Sequence, residues 1–146
     1  MKTVLFVCVY NASRSQMAEA FVNHLAAARG LPVRGLSAGT AAGSQINPVA
    51  RAVMAEVGIP MEGQTPKQLT QKMADAADRM ITMGCGVDAE ACPARLPLSE
   101  DWGLDDTKGQ PVGKVREVRD QIRWHVEELL SEMELLGLER KAGSDE

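Results

Sequence analysis

A cysteine and an arginine share one short run, Cys8-Val9-Tyr10-Asn11-Ala12-Ser13-Arg14-Ser15, with five residues between thiol and guanidinium. A backbone of that length can curl around an oxyanion with its N–H groups turned inward, while a helix starting at the end of the run adds the positive end of its dipole. Arg14 would then grip two oxygens of the anion, and the same field favours the thiolate form of Cys8, which becomes a nucleophile. Ser15 can donate a hydrogen bond to that thiolate, and Asn11 can brace the loop through its side-chain amide. The plainer alternative is a small core cysteine at a strand end followed by a solvated helix arginine, and the spacing alone leaves it open.

Two further cysteines, Cys85 and Cys92, are seven residues apart. In a helix that spacing brings both to one face but separates them by about 10 Å along the axis, whereas a disulfide needs Cα atoms within about 7 Å. Pairing them would therefore require the segment to unwind or loop out, which Gly84 and Gly86 would ease. Two unrelated thiols remain the alternative. Asp105-Asp106 lies in a glycine-flanked stretch from which a carboxyl could reach the bound anion, although from the residues alone a solvated surface loop is the commoner case for such a pair.

These groups need a scaffold. Residues 2–8 are mostly apolar and include the β-branched Thr3, Val4 and Val7, predicting a strand that ends at Cys8, and a helical stretch follows from about Ser15 to Gly30. Pro32 to Leu36 predicts a second strand, Ser37 to Ile46 is rich in Gly, Ser and Ala, and Asn47-Pro48 opens a helix that Gly58 closes. Gln64 to Ala77 offers one or two short helical pieces, and Arg79 to Met83 a third strand. Residues 84–113 hold much of the Gly and Pro around a short apolar piece at Arg95 to Leu98. Lys114 to Leu136 is a long amphipathic helix, with Val115, Val118, Ile122, Val126, Leu129, Leu130 and Met133 recurring at spacings of three and four. The alternation implies an α/β fold, an open parallel sheet with helices on both faces, in which ligands bind beyond the carboxyl ends of the strands. Cys8 stands at such an end.

The bulk numbers narrow the function. A chain of 146 residues with 45% hydrophobic content predicts one core; the expected division is a catalytic domain at 1–138 and a disordered tail at 139–146. Sixteen basic and twenty acidic residues give a net charge of −4, with the basic ones scattered, so nucleic acid is not an expected partner. The apolar run Val4 to Tyr10 is too short to span a membrane or act as an export signal, and a cytoplasmic location is expected. Three cysteines without an export signal point to thiol chemistry instead of a disulfide framework. Neither His24 nor His125 is near Cys85 and Cys92 in sequence, so no metal site is expected.

The segments CVYNASRSQMAEAF from Cys8, LSAGT at 36–40, NPVARAVMAEVGI at 47–59, ITMGCGVDAEACP at 81–93 and DWGLDD at 101–106 together resemble the thioredoxin-coupled arsenate reductases, which share a fold with the low-molecular-weight tyrosine phosphatases. The resemblance runs over about residues 1–130 and implies an open four-stranded sheet of that kind. It further implies that residues 9–14 bind arsenate, with phosphate or sulfate as competitors, and that Cys8, Cys85 and Cys92 form a relay. In that relay Cys8 attacks arsenate, Cys85 attacks Cys8 to release arsenite, and Cys92 takes over the disulfide for reduction by thioredoxin, with no bound cofactor. Asp106 takes the role of proton donor.

Departures from the family pattern are also present. Thr107 replaces the usual proline after the acid, which puts the rigidity of that loop in question. Val9-Tyr10 replaces a more usual residue plus glycine, Ser13 stands where many relatives carry another cysteine, and Tyr10 is expected to narrow the site. Some relatives bind potassium beside the anion loop; Asn11, Glu19, Ser37 and Thr65 match those positions, but the expected carboxylate is Lys67, whose charge can replace the ion. Two other enzyme readings stay open, a tyrosine phosphatase and a mycothiol-dependent reductase, and beside them a non-enzymatic redox or oxyanion sensor.

Overall fold

The computed structural model describes residues 1–84 and 100–144. Strand β1 (Lys2–Cys8) is buried at every residue after Lys2, as expected of a strand covered on both faces. It pairs in parallel with β2 (Val33–Gly39) on one side and with β3 (Arg79–Thr82) on the other, and β3 pairs with β4 (Glu100–Asp101). The order β2-β1-β3-β4 is an open four-stranded parallel sheet. From β1 the chain runs outward to β2 and then returns to the other flank for β3, so the connections part at the carboxyl end of β1. That crevice is where open α/β sheets bind ligands, and Cys8 is the last residue of the strand.

Side chains alternate across the sheet. Val4 and Phe6 join the larger core with helices α1 (Arg14–Ala28), α2 (Pro48–Glu56) and α4 (Val112–Ser144), whereas Leu5 and Val7 join a smaller one with Leu69, Ala74 and Met80, beside helix α3 (Gln71–Ala76). Helices thus cover both faces. The α4 stripe packs as its periodicity requires: Val115, Val118, Ile122, Val126, Leu129 and Leu130 are all buried and Met133 packs at the edge. Each such side chain contributes about 1.5–3 kcal/mol of burial, which far outweighs any helix propensity in fixing α4 to the sheet. Asn47 caps α2 by accepting the Val49 N–H at 2.8 Å, Pro48 opens it, and Gly58 follows its end with a positive φ of 74°.

Two elements run well past the ends expected from the sequence. Strand β2 continues past Leu36 to Gly39, because Phe6, Val7 and Cys8 of β1 supply pairing partners for Ser37, Ala38 and Gly39. Small residues are needed there: a Cβ on Gly39 would lie 2.5 Å from the Val9 carbonyl oxygen. Helix α4 continues past Leu136 to Ser144. The apolar piece Arg95 to Leu98 lies outside the described residues, and β4 begins just after it.

Candidate active site

The loop between β1 and α1 is held from outside by its carbonyls. Those of Cys8, Val9, Tyr10 and Ala12 accept N–H bonds of 2.8–3.0 Å from Thr40, Ala41, Gly43 and Asn47 in turn. In a trans peptide the C=O and the next N–H point in opposite directions, so the amides of Val9, Tyr10, Asn11 and Ser13 are turned to the concave side. One of them is seen in use, with Asn11 N–H donating to Cys8 Sγ at 3.2 Å. The loop closes through Asn11 in the left-handed region, at φ 54°, which asparagine tolerates better than most residues.

Cys8 is buried, and its sulfur lies 3.0 Å from Ser15 Oγ. A Cys8 thiolate can only accept in that contact, so there Ser15 is the donor. Asn11 Nδ2 donates to Ser15 Oγ at 2.8 Å, which fills one acceptor site of the hydroxyl and leaves its proton available to the thiolate. The order Asn11 to Ser15 to Cys8 thus supplies a second donor to Cys8, and donors aimed at a sulfur favour its thiolate. Arg14 is only 8% exposed, and its Nη1 donates to the Met83 and Leu104 carbonyls at 2.9 and 2.8 Å. Its guanidinium is thereby held across the ends of β3 and of the acid loop, with Nη2 facing Asp106.

The two aspartates separate into different roles. Asp105 bonds Lys114 Nζ at 2.7 Å, and this bond and charge hold its carboxyl below the usual carboxylate range. Asp106 instead lines the cavity; its side chain is 69% exposed, with Oδ1 3.7 Å from Arg14 Nη2 and accepting the Lys108 N–H at 3.0 Å. Of the two aspartates only Asp106 lines the cavity. Thr107 is buried and its Oγ1 lies 2.6 Å from Ser13 Oγ, so the loop that lacks the family's proline is tied to the anion loop by a hydroxyl pair. The cavity holds about 700 Å³ between the anion loop, the segment Gly43 to Pro48 and Asp106 to Lys108. Tyr10 stands exposed at its mouth, with Lys108 Nζ 5.3 Å from the ring centroid. Trp102, at the start of this stretch, packs on Phe6 and stacks on His125 at 4.7 Å.

The residues expected to support the loop come together. Ser37 Oγ donates to Glu19 Oε1 at 3.0 Å, and Lys67 Nζ lies 3.3 Å from the same oxygen and 3.2 Å from the Thr65 carbonyl. Through its backbone N–H, Lys67 also donates to Asn11 Oδ1 at 2.8 Å. A buried carboxylate beside the anion loop would oppose a bound anion, and the lysine neutralises it in place. Sequence reasoning missed Gln16, which is fully buried and directs Nε2 to Asn11 Oδ1 at 2.8 Å and the Thr65 carbonyl at 2.9 Å, and Gln64, which donates to Gln16 Oε1 at 2.7 Å. Its only signal was a glutamine on a helix start otherwise read for Ser15. The outer brace at residues 40–47 was also missed, because it acts through backbone N–H groups. Cys85 and Cys92 lie outside the described residues.

A cysteine at the tip of a central parallel strand, an amide-lined loop, an arginine at its end and a carboxyl across the cavity define a phosphatase-type anion loop on an α/β sheet. The chain belongs to the low molecular weight phosphotyrosine protein phosphatase family, whose model matches residues 3–139. It is 39% identical over 134 residues to a glutaredoxin arsenate reductase of Synechocystis sp., covering 91% of this chain and 99% of that protein. Among solved structures it is similar to an arsenate reductase in the phosphate binding state, with TM-score 0.76, 37% identity, and 90% of this chain and 98% of that one covered. A thioredoxin-dependent arsenate reductase of Corynebacterium glutamicum matches with TM-score 0.74 and 33% identity, over 92% of this chain and 63% of that one.

Proposed function

We propose that this protein reduces arsenate to arsenite. The observation that carries the reading is the convergence of Ser15 Oγ and the Asn11 amide on Cys8 Sγ inside the amide-lined loop, which prepares a nucleophile where an oxyanion would sit. Cys8 attacks arsenic, an S–As bond forms, and Asp106 protonates the departing oxygen so that it leaves as water. Cys85 then attacks Cys8 Sγ; the S–As bond breaks, its electron pair stays on arsenic, and arsenite departs as the Cys8–Cys85 disulfide forms. Attack by Cys92 on Cys85 releases Cys8 and leaves a Cys85–Cys92 disulfide, which an external dithiol reduces. Two thiols thus supply the two electrons that arsenic gains.

Thioredoxin is the proposed reductant, supported by the thioredoxin-dependent relative and by a third thiol that can present a disulfide away from the anion loop; the Synechocystis relative is named for glutaredoxin. The test is NADPH consumption on adding arsenate with thioredoxin and its reductase, run beside glutaredoxin with glutathione and beside mycothiol with its reductase. Sustained turnover in the first alone supports the full reading, and turnover only in another reassigns the reductant. The family and the Asp106 position also favour phosphomonoester hydrolysis as a second reading, since Cys8, Arg14 and Asp106 suffice for it. Replacing Cys85 with serine separates the two: arsenate turnover ends, while hydrolysis continues.

A further inference from the structure

Three consecutive side chains of the acid loop reach the anion loop: Asp106 toward Arg14, Thr107 to Ser13, and Lys108 over the Tyr10 ring. Thr107 differs from its neighbours in being buried, at 1% exposed, in a stretch where Asp105, Asp106 and Lys108 to Gly113 are all exposed. Its hydroxyl meets Ser13 Oγ at 2.6 Å. Ser13 carries a second observation. It stands at the N-cap of α1, where a serine hydroxyl ordinarily accepts a first-turn N–H, yet it makes no cap bond. The hydroxyl is turned to Thr107 instead. This leaves the first-turn amides of α1 without a side-chain acceptor, free for an anion, and commits Ser13 to the acid loop.

We propose that Ser13 and Thr107 are a positioning pair that holds the Asp106 carboxyl over the anion loop. Asp106 lies between two anchors, the Leu104 carbonyl held by Arg14 and the Thr107 hydroxyl held by Ser13. Its own bond to the Lys108 N–H turns the carboxyl within the loop without fixing the loop to the site. The pair therefore sets where the proton donor stands relative to Cys8, and it performs in this chain the stiffening that a proline at position 107 would give. The inference rests on the reading of Asp106 as the donor.

The experiment compares arsenate turnover, and in parallel hydrolysis of p-nitrophenyl phosphate and phenyl phosphate, for the wild type, Thr107→Val, Thr107→Ser, Ser13→Ala and the Ser13→Ala/Thr107→Val double variant. Thermal unfolding checks that each is folded. Misplacing a general acid forfeits part of its effect, so Thr107→Val and Ser13→Ala should each lower kcat on the order of tenfold with KM for the oxyanion little changed. The double variant should be no slower than the slower single one, and Thr107→Ser should keep most of the rate. Phenyl phosphate, whose leaving group needs a proton, should suffer more than p-nitrophenyl phosphate. Adding Thr107→Val to Asp106→Asn should cost nothing further. Equal losses in the wild-type and Asp106→Asn backgrounds, or Thr107→Ser as slow as Thr107→Val, would overturn the pairing and leave Thr107 a packing residue. Ester hydrolysis without arsenate reduction in the wild type would overturn the reductase reading alone, and the same comparisons on the esters would still decide the pair.

Discussion

Replacing Ser15 with alanine tests the activation of Cys8 directly. The serine hydroxyl is 3.0 Å from the sulfur and accepts from Asn11 Nδ2 at 2.8 Å, so its proton is available to a Cys8 thiolate, which can only accept. A hydrogen bond to a charged group is worth about 1.5–3 kcal/mol, so its loss raises the thiolate relative to the thiol by that amount. At about 1.4 kcal/mol per factor of ten, the thiolate fraction falls roughly ten- to 150-fold at any pH where both thiols are mostly protonated. A more basic thiolate is also a better nucleophile, with a Brønsted coefficient of about 0.4–0.5, which returns nearly half of that loss on the logarithmic scale. The net decrease in alkylation rate is therefore roughly four- to fifteenfold. The assay is the rate of iodoacetamide labelling against pH, in a Cys85→Ser/Cys92→Ser background so that only Cys8 reacts. The two profiles should cross: the variant is slower where both thiols are mostly protonated and faster once both are ionised. The substitution also leaves Asn11 Nδ2 without its acceptor, at about 1–3 kcal/mol of stability, so labelling is read well below the unfolding temperature. Superimposed profiles in a folded variant would refute the donor order and return Cys8 to a sulfur activated by the backbone alone.

The aspartate pair should divide cleanly: Asp106→Asn lowers kcat for arsenate about 10²- to 10⁴-fold, while Asp105→Asn, which loses the charge pairing with Lys114, stays within a few-fold of the wild type in the same coupled assay. Lys67 fills the place beside Glu19 with its own charge, so turnover should be the same in sodium and potassium chloride at equal ionic strength; a severalfold gain in potassium would remove the idea. His125 is held below its usual range first by burial against Trp102, with Glu100 pulling the other way. Because the unfolded chain binds that proton more readily, the native state loses stability as pH falls below about 6.5 and levels off below the folded value. Thermal midpoints from pH 8 to 5 should fall less for His125→Phe than for the wild type, and parallel slopes would contradict the assignment.

Position in the sequence revealed single residues, while space revealed how they act together. The strand ending at Cys8, the Asn47-Pro48 helix start and the α4 stripe are local patterns, and they form where expected because each buries the face its own periodicity defines. The end of β2 was not legible: Ser37, Ala38 and Gly39 have little strand propensity, and they are extended because β1 lies beside them. Three departures from the family pattern, Ser13, Thr107 and Lys67, read singly as a lost cysteine, a lost proline and a lost carboxylate. The structure turns each into a contact. Ser13 and Thr107, 94 residues apart in sequence, bond each other, and Lys67 meets the Glu19 carboxylate it would otherwise leave uncompensated. A substitution that removes one constraint is judged by what now touches the new side chain, and here two departures that looked independent are halves of one hydrogen bond. Loss of either half should therefore produce the same defect, located at the proton donor and not at the anion loop.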